Sequence, residues 1–164
     1  MIKTNKDGYF PYTPATTLLR GLRASLDMIH AEGIENVWAR HAQLARAIWA
    51  ACEAWGQDGP MAMNVTDPAL RSHAVTALRL GGSRATQLRE WLEQTLGLTL
   101  GIGLGMAEPG DPAYHGFFRV GHMGHLNAHG MLGTIGVIEA GLQALFIPHG
   151  AGAVAAAAEV IAKG

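Results

Sequence analysis

The sequence predicts an α+β domain in which two long helices lead into a small, largely antiparallel sheet with further helices packed on one of its faces. Three observations predict it. Apolar residues recur at three- and four-residue steps through LLRGLRASLDMIHAEG and again through IENVWARHAQLARAIWAACEAWG, the period of an amphipathic helix. HAVTALRL alternates and FFRVG runs apolar between glycine-rich breaks, which is strand patterning. The order helix, helix, strand, helix, strand, strand, helix, helix lacks the strict alternation that builds a parallel sheet.

Each element has local signals. Residues 1 to 12 are polar, with an Asp7-Gly8 turn, and Thr13-Pro14 offers an N-cap followed by a proline at the first helical position. Leu18, Leu19, Leu22, Leu26 and Ile29 form the stripe of the first helix, and Gly33 stops it. Val37, Leu44, Ala45, Ile48, Ala51, Cys52 and Trp55 form the stripe of the second, which ends near Gly56. Residues 56 to 72, rich in Gly, Pro, Asp and Asn, read as a loop. HAVTALRL is a strand, Ser83 a plausible cap for the helix RATQLREWLEQTL, and LTLGIGLG a short strand entering a glycine-rich loop. The connection GMAEPGDPAYHG leads to the strand FFRVG, Asn127 caps a helix reaching about Leu145, and Ile147-Pro148 separates it from a last helix over 151–162.

Composition narrows the function. The chain of 164 residues suits one domain or a substantial piece of a larger protein. Charged residues are 15% against 49% hydrophobic, below the ~25% charge of an average soluble domain. Part of the surface is therefore expected to be covered by another domain or subunit. A formal net charge of -1 gives no general attraction to nucleic acid or anionic membrane. The amino terminus lacks an apolar signal core and no apolar run approaches ~20 residues, so a soluble cytoplasmic protein is expected. The single Cys52 lies in an apolar helical run and is expected to be buried rather than nucleophilic.

The stretch FFRVGHMGHLNAHG carries the chemistry. His122, His125 and His129 would share a face if one helix held all three. Gly121, Gly124 and Gly130 interrupt the segment, however, and Asn127 starts a helix between the second and third histidine, so convergence on a metal is not expected. Hydrogen bonds that hold a glycine-rich loop are the expected role. His41 has charged neighbours and no partner at metal-ligand spacing, and is expected to be an ordinary helix-surface histidine. Arg119 differs in kind, since a charge in an apolar strand needs an anionic partner. A protein carboxylate and a substrate carboxylate both suit its planar fork, and spacing alone leans slightly to the internal salt bridge. The spaced glycines of GIGLGMAEPG precede a loop with prolines, not a helix, which makes a nucleotide fingerprint a weak reading.

In order, GYFPYTPATTLLRGLRASLDMI, GIENVWARH and FFRVGHMGHLN resemble the C-terminal part of class V aminotransferases, pyridoxal-phosphate enzymes of the serine–glyoxylate, alanine–glyoxylate and pyridoxamine–pyruvate type. The resemblance runs from about Gly8 to Ala162, and its anchors are Y-T-P before a long helix and R-V-G-H-M-G. It implies the small domain of a fold-type I aminotransferase over 14–164, preceded by a lead-in segment, 1–13, that carries a cofactor-phosphate turn. By the same resemblance Arg119 binds the carboxylate of an amino acid or 2-oxo acid. Thr13, with Tyr12 beside it, belongs to the site of the cofactor phosphate and reaches it from the neighbouring subunit of a homo-oligomer. GHMGHLN departs from the commoner GHLGD wording at His125, and with the PHG near the C-terminus looks most like the pyridoxamine–pyruvate branch, with serine–glyoxylate or alanine–glyoxylate transamination as the alternative. In that branch a free vitamin B6 compound is itself a substrate.

Transamination also needs a Schiff-base lysine and a carboxylate facing the pyridine nitrogen. The lysines here are Lys3, Lys6 and Lys163, all near the ends of the chain and outside any motif. The resemblance places both missing groups in a large domain that would precede residue 1. The expectation is a chain with no catalytic residue of its own, no stably bound cofactor and no activity alone. The rival from another class is a non-enzymatic self-association module.

Overall fold

The computed structural model describes residues 3, 6–10, 12–108 and 110–164. Met1, Ile2, Thr4, Asn5 and Pro11 of the lead-in segment and Pro109 of the connection before FFRVG lie outside the described residues. The chain divides into two units, Met1–Trp38 and Ala39–Gly164.

The first unit is built around helix α1, Thr16–Glu32. Gly8, at φ 77°, makes the expected turn after Asp7. Gly33, at φ 86°, ends α1 with its N–H on the Ile29 carbonyl. The start differs from expectation. The N-cap is Ala15, without a side-chain bond, and the Pro14 carbonyl accepts the Thr16 N–H at 2.9 Å. Thr13 therefore stands outside the helix: the turn closed by the Pro14 carbonyl puts the first helical residue at Thr16, too far along the chain for Thr13 to be its N-cap. Along the apolar stripe of α1, Leu18, Leu19, Leu22 and Leu26 are exposed and Ile29 is partly buried.

Helix α2, Ile34–Gly56, begins in the first unit and continues into the second. Leu44, Ala45, Ile48, Ala51, Cys52 and Trp55 are all buried, as their spacing requires. The sheet of the second unit has four strands, β1 (Ala62–Met63), β2 (Val75–Arg79), β3 (Gly101–Ile102) and β4 (Phe117–Gly121). Their order is β1-β2-β4-β3 and every pairing is antiparallel. Helices α3 (Arg84–Leu96), α4 (Ala128–Ala144) and α5 (Ala153–Lys163) complete the unit.

Alternation decides which strand residues meet the core. Leu78, Phe118 and Val120 are buried in one cluster with Leu44, Ile48, Leu88, Met131 and Ile135, while Val75, Ala77, Phe117 and Arg119 on the other face stay partly exposed. Each fully buried aliphatic side chain contributes roughly 1.5–3 kcal/mol. That burial offsets the poor helix propensity of a glycine-rich α4. Gly141 lets α4 approach closely, since a Cβ there would lie 2.7 Å from Leu88 Cδ1 and 2.9 Å from Leu92 Cδ2 and force those buried side chains to move.

Two local details depart from the sequence reading. Ser83 makes no side-chain cap bond to α3; at ψ 4° it lacks the extended backbone that aims a hydroxyl at the first turn. The segment 56–72 contains the two-residue strand β1 as well as loop. Asn127 caps α4 as expected, accepting the Gly130 N–H at 2.9 Å. The PHG segment is held by close backbone packing. A Cβ on Gly59 would strike the Pro148 carbonyl, one on Gly150 would strike the Ala54 carbonyl, and the Gly150 N–H bonds to the Trp55 carbonyl at 2.9 Å.

Candidate functional site

Arg119 sits mid-strand on β4, opposite Ala77 of β2 on one side and Gly101 of β3 on the other. Its neighbours Phe118 and Val120 point into the core, so pleat alternation puts the arginine on the opposite, partly exposed face of the sheet. The Nε–H donates to the Ile102 carbonyl at 2.7 Å. That bond leaves the two terminal nitrogens, the pair that grips a carboxylate, without an ion pair among the described residues. The internal salt bridge that spacing favoured is therefore not formed by the described carboxylates.

Glycines make room for this pose. A Cβ on Gly101 would come within 3.1 Å of Arg119 Cβ and 3.3 Å of its Nε, and one on Gly103 within 2.5 Å of Phe117 Cβ. The spaced glycines of GIGLG thus clear space for the large side chains of β4. Arg79, opposite Phe117, shares the open face and is exposed.

The loop after Arg119 is held from two sides. His122 is fully buried; its backbone N–H reaches the Ala74 carbonyl at 2.9 Å, while Nδ1 meets the His73 carbonyl at 3.0 Å. A carbonyl can only accept, so Nδ1 carries the proton and Nε2 is left to accept from the Thr76 hydroxyl at 2.8 Å. The Thr76 oxygen in turn accepts the Trp49 indole N–H at 2.9 Å. Burial is the main cause that pushes the His122 pKa below its usual value, and nearby His41 and His73 act in the same direction against the hydrogen bond to the His73 carbonyl. From the other side, the Arg40 guanidinium donates to the carbonyls of Gly124 at 2.9 Å and Leu126 at 2.7 Å, and His41 Nε2 lies 3.1 Å from the Gly124 carbonyl.

These contacts sort the histidines. His122 is a buried structural group, whereas His125 and His129 are exposed, so the three rings do not converge. His41 does more than decorate a helix surface, since it helps hold the glycine loop. Among the described residues no group of three His, Cys, Asp or Glu is placed to hold a metal ion. Cys52 is buried and its thiol is pushed up to about 12, chiefly by desolvation.

The other sequence-predicted residues, Tyr12 and Thr13, are exposed in the first unit, ahead of α1. The candidates are thus divided between the two units. Thr76, Trp49, Arg40 and Gly101 escaped the sequence reading. For Thr76 and Gly101 the signal is a polar or glycine position inside an otherwise apolar strand; Trp49 and Arg40 carry none.

No protein-family model matches the chain. The serine–glyoxylate aminotransferase of Hyphomicrobium methylovorum is 38% identical over 144 residues, 87% of this chain and 33% of that protein. The pyridoxamine–pyruvate transaminase of Mesorhizobium japonicum is 31% identical over 121 residues, 73% of this chain and 28% of that protein. Among solved structures, pyridoxamine-pyruvate aminotransferase from Mesorhizobium loti superposes with a TM-score of 0.81 at 27% identity, covering 94% of this chain and 38% of that one. The chain spans about a third of the length of the curated relatives it matches. No helix among the described residues is long and apolar enough to cross a membrane. An antiparallel sheet of the same architecture and sequence likeness over most of its length lead to one assignment: the chain belongs to the class V pyridoxal-phosphate aminotransferases, as their C-terminal portion.

Proposed function

We propose that this chain supplies the substrate-carboxylate side of an aminotransferase site that moves an amino group between an amino acid and a small 2-oxo acid. The observation that carries the proposal is Arg119, fixed by its Nε to the Ile102 carbonyl on the partly exposed face of the sheet with no ion pair among the described residues. A guanidinium so held loses little freedom on gripping a carboxylate, which favours binding. Serine–glyoxylate chemistry is the preferred reading, since a serine–glyoxylate enzyme matches at 38% identity and a pyridoxamine–pyruvate enzyme at 31%. This reverses the preference drawn from GHMGHLN and PHG. Close backbone packing gives PHG a structural role of its own. Pyridoxamine–pyruvate transamination stays the second reading because of the 0.81 TM-score.

The chain's residues fit only part of the cofactor's needs. Pyridoxal phosphate supplies the electron sink of transamination when bound. Thr13 and Tyr12, before a helix start that lacks a side-chain cap, would sit toward its phosphate, where free N–H groups and the dipole favour an anion. The lysines at 3, 6 and 163 offer no Schiff-base residue within a motif, so that lysine and the ring-nitrogen carboxylate come from a large domain. In this proposal residues 1–13 are the lead-in and 14–164 the small domain. The same large domain, or a second subunit, covers the exposed stripe of α1.

In an enzyme assembled with such a domain, Arg119→Ala should lower kcat/KM for glyoxylate by about 10²–10³-fold, on the scale of removing one partner of a buried charge pair. Unchanged kinetics would remove Arg119 from the substrate site.

A further inference from the structure

We infer that His122 is a positioning residue for Arg119: bonded to Thr76 and to the His73 carbonyl, it locks the β2–β4 register that puts the guanidinium on the open face of the sheet. The inference rests on the carboxylate-binding reading of Arg119 for its functional meaning, but its geometry stands apart from that reading.

The apolar pattern of these strands is a poor guide to register. Phe117 and Phe118 put an aromatic ring on each face of β4, and Val75 and Leu78 put an aliphatic on each face of β2. A slip of one residue exchanges the two faces of a strand. On β4 it would turn Arg119 inward and Val120 outward. Burying the guanidinium already opposes the slip on β4, but the exchange of apolar residues adds little, because each strand keeps one facing the core in either register.

The polar groups discriminate sharply. Thr76 and His122 are the buried polar residues among those described, and they bond to each other at 2.8 Å. Thr76 pairs with Val120, and its neighbour Ala77 pairs with Arg119. Trp49, on α2, holds the Thr76 hydroxyl at 2.9 Å and fixes which face of β2 turns to the helices. The His73 carbonyl, just before β2, holds the far side of the imidazole at 3.0 Å. Every polar atom of this chain of contacts is satisfied in the observed register. A slipped register would bury an imidazole or a hydroxyl without its partner, which is more costly than the apolar exchange. The arginine is thus bracketed by Thr76 and His122, groups on the opposite face that it does not touch.

The test uses the 164-residue chain and NMR of the Arg119 Nε–H, the proton engaged by the Ile102 carbonyl. In the wild type and in Thr76→Ser, which keeps the hydroxyl, a resolved and protected Nε–H signal is expected together with an Ala77–Arg119 cross-strand contact. In Thr76→Val, which keeps size and strand propensity, exchange of that proton should be about tenfold faster, with the cross-strand contact weakened. If Thr76→Val does not fold, His122→Asn decides, since its amide still reaches the His73 carbonyl but loses Thr76. Wild-type exchange and contacts in the folded variant would overturn the inference. Failure of the carboxylate reading would show elsewhere, as unchanged kinetics in Arg119→Ala, and would leave this signature as it is.

Discussion

Helices α1 and α4 have the same length and opposite fates. Both span 17 residues and both carry an apolar stripe at helical spacing. In α4, Met131, Ile135, Ile138 and Leu142 are fully buried in the core of the second unit. In α1 no residue is buried, and Leu18, Leu22 and Leu26 are 75%, 55% and 42% exposed. Periodicity reports which side of a helix is apolar, but not which chain or domain covers it. The second unit closes its own core, whereas α1 holds its stripe ready for a surface that, in the proposed enzyme, belongs to the large domain or a second subunit.

The strongest way to break this comparison is to damage the core of the second unit. Phe118→Ala removes a fully buried ring beside Leu78 and should cost about 3–5 kcal/mol, seen as a large fall in the denaturant midpoint of the chain. A loss below ~1 kcal/mol would mean that the second unit does not depend on its own core as described.

A smaller effect comes from the buried imidazole. The folded state holds the His122 pKa below its usual value, so an unfolded chain takes up a proton at a higher pH than the folded one does. The contribution of neutral His122 is complete above the ordinary histidine value of about 6.5 and is lost as pH falls from there toward the folded pKa. Midpoints measured from pH 8 to pH 5 should therefore decline below about 6.5. His122→Asn should flatten that decline while lowering the whole curve. An identical pH profile in the variant would show that other groups cause it.

What was legible in the sequence follows the range of the interaction. Elements set by local periodicity or a neighbouring cap, such as α2, α4 with Asn127, and β4, stand where the pattern puts them. Thr13 and Ser83 have the right chemistry for caps, yet the helix after Thr13 begins only at Thr16, and at ψ 4° Ser83 lacks the extended backbone of a cap. Strand β1 was missed because two residues in a turn-rich segment carry no period, and only the pairing with Arg79 and Leu78 defines it. In the site, Arg119 announced itself as a charge in an apolar strand. Its supports did not, because Thr76 meets His122 across 46 positions and Trp49 meets Thr76 across 27, and sequence spacing encodes neither.

The smallest expected effect separates the two helices most cleanly. Leu22→Ser in α1 removes an exposed side chain and should change the stability of the 164-residue chain by less than about 0.5 kcal/mol, apart from a slight loss of helix propensity. The matching change in α4, Ile135→Ser, buries a hydroxyl in an apolar core and should cost several times more. The interest lies in repeating Leu22→Ser in an enzyme assembled with the large domain. If α1 is covered there, the same substitution should become destabilising by about 2 kcal/mol or more and weaken assembly, measured as a shift of the dissociation midpoint by sedimentation or sizing. If Leu22→Ser is as harmless in the assembled enzyme as in the chain, the stripe of α1 is not the surface that joins this portion to the rest, and another face of the chain must carry that contact.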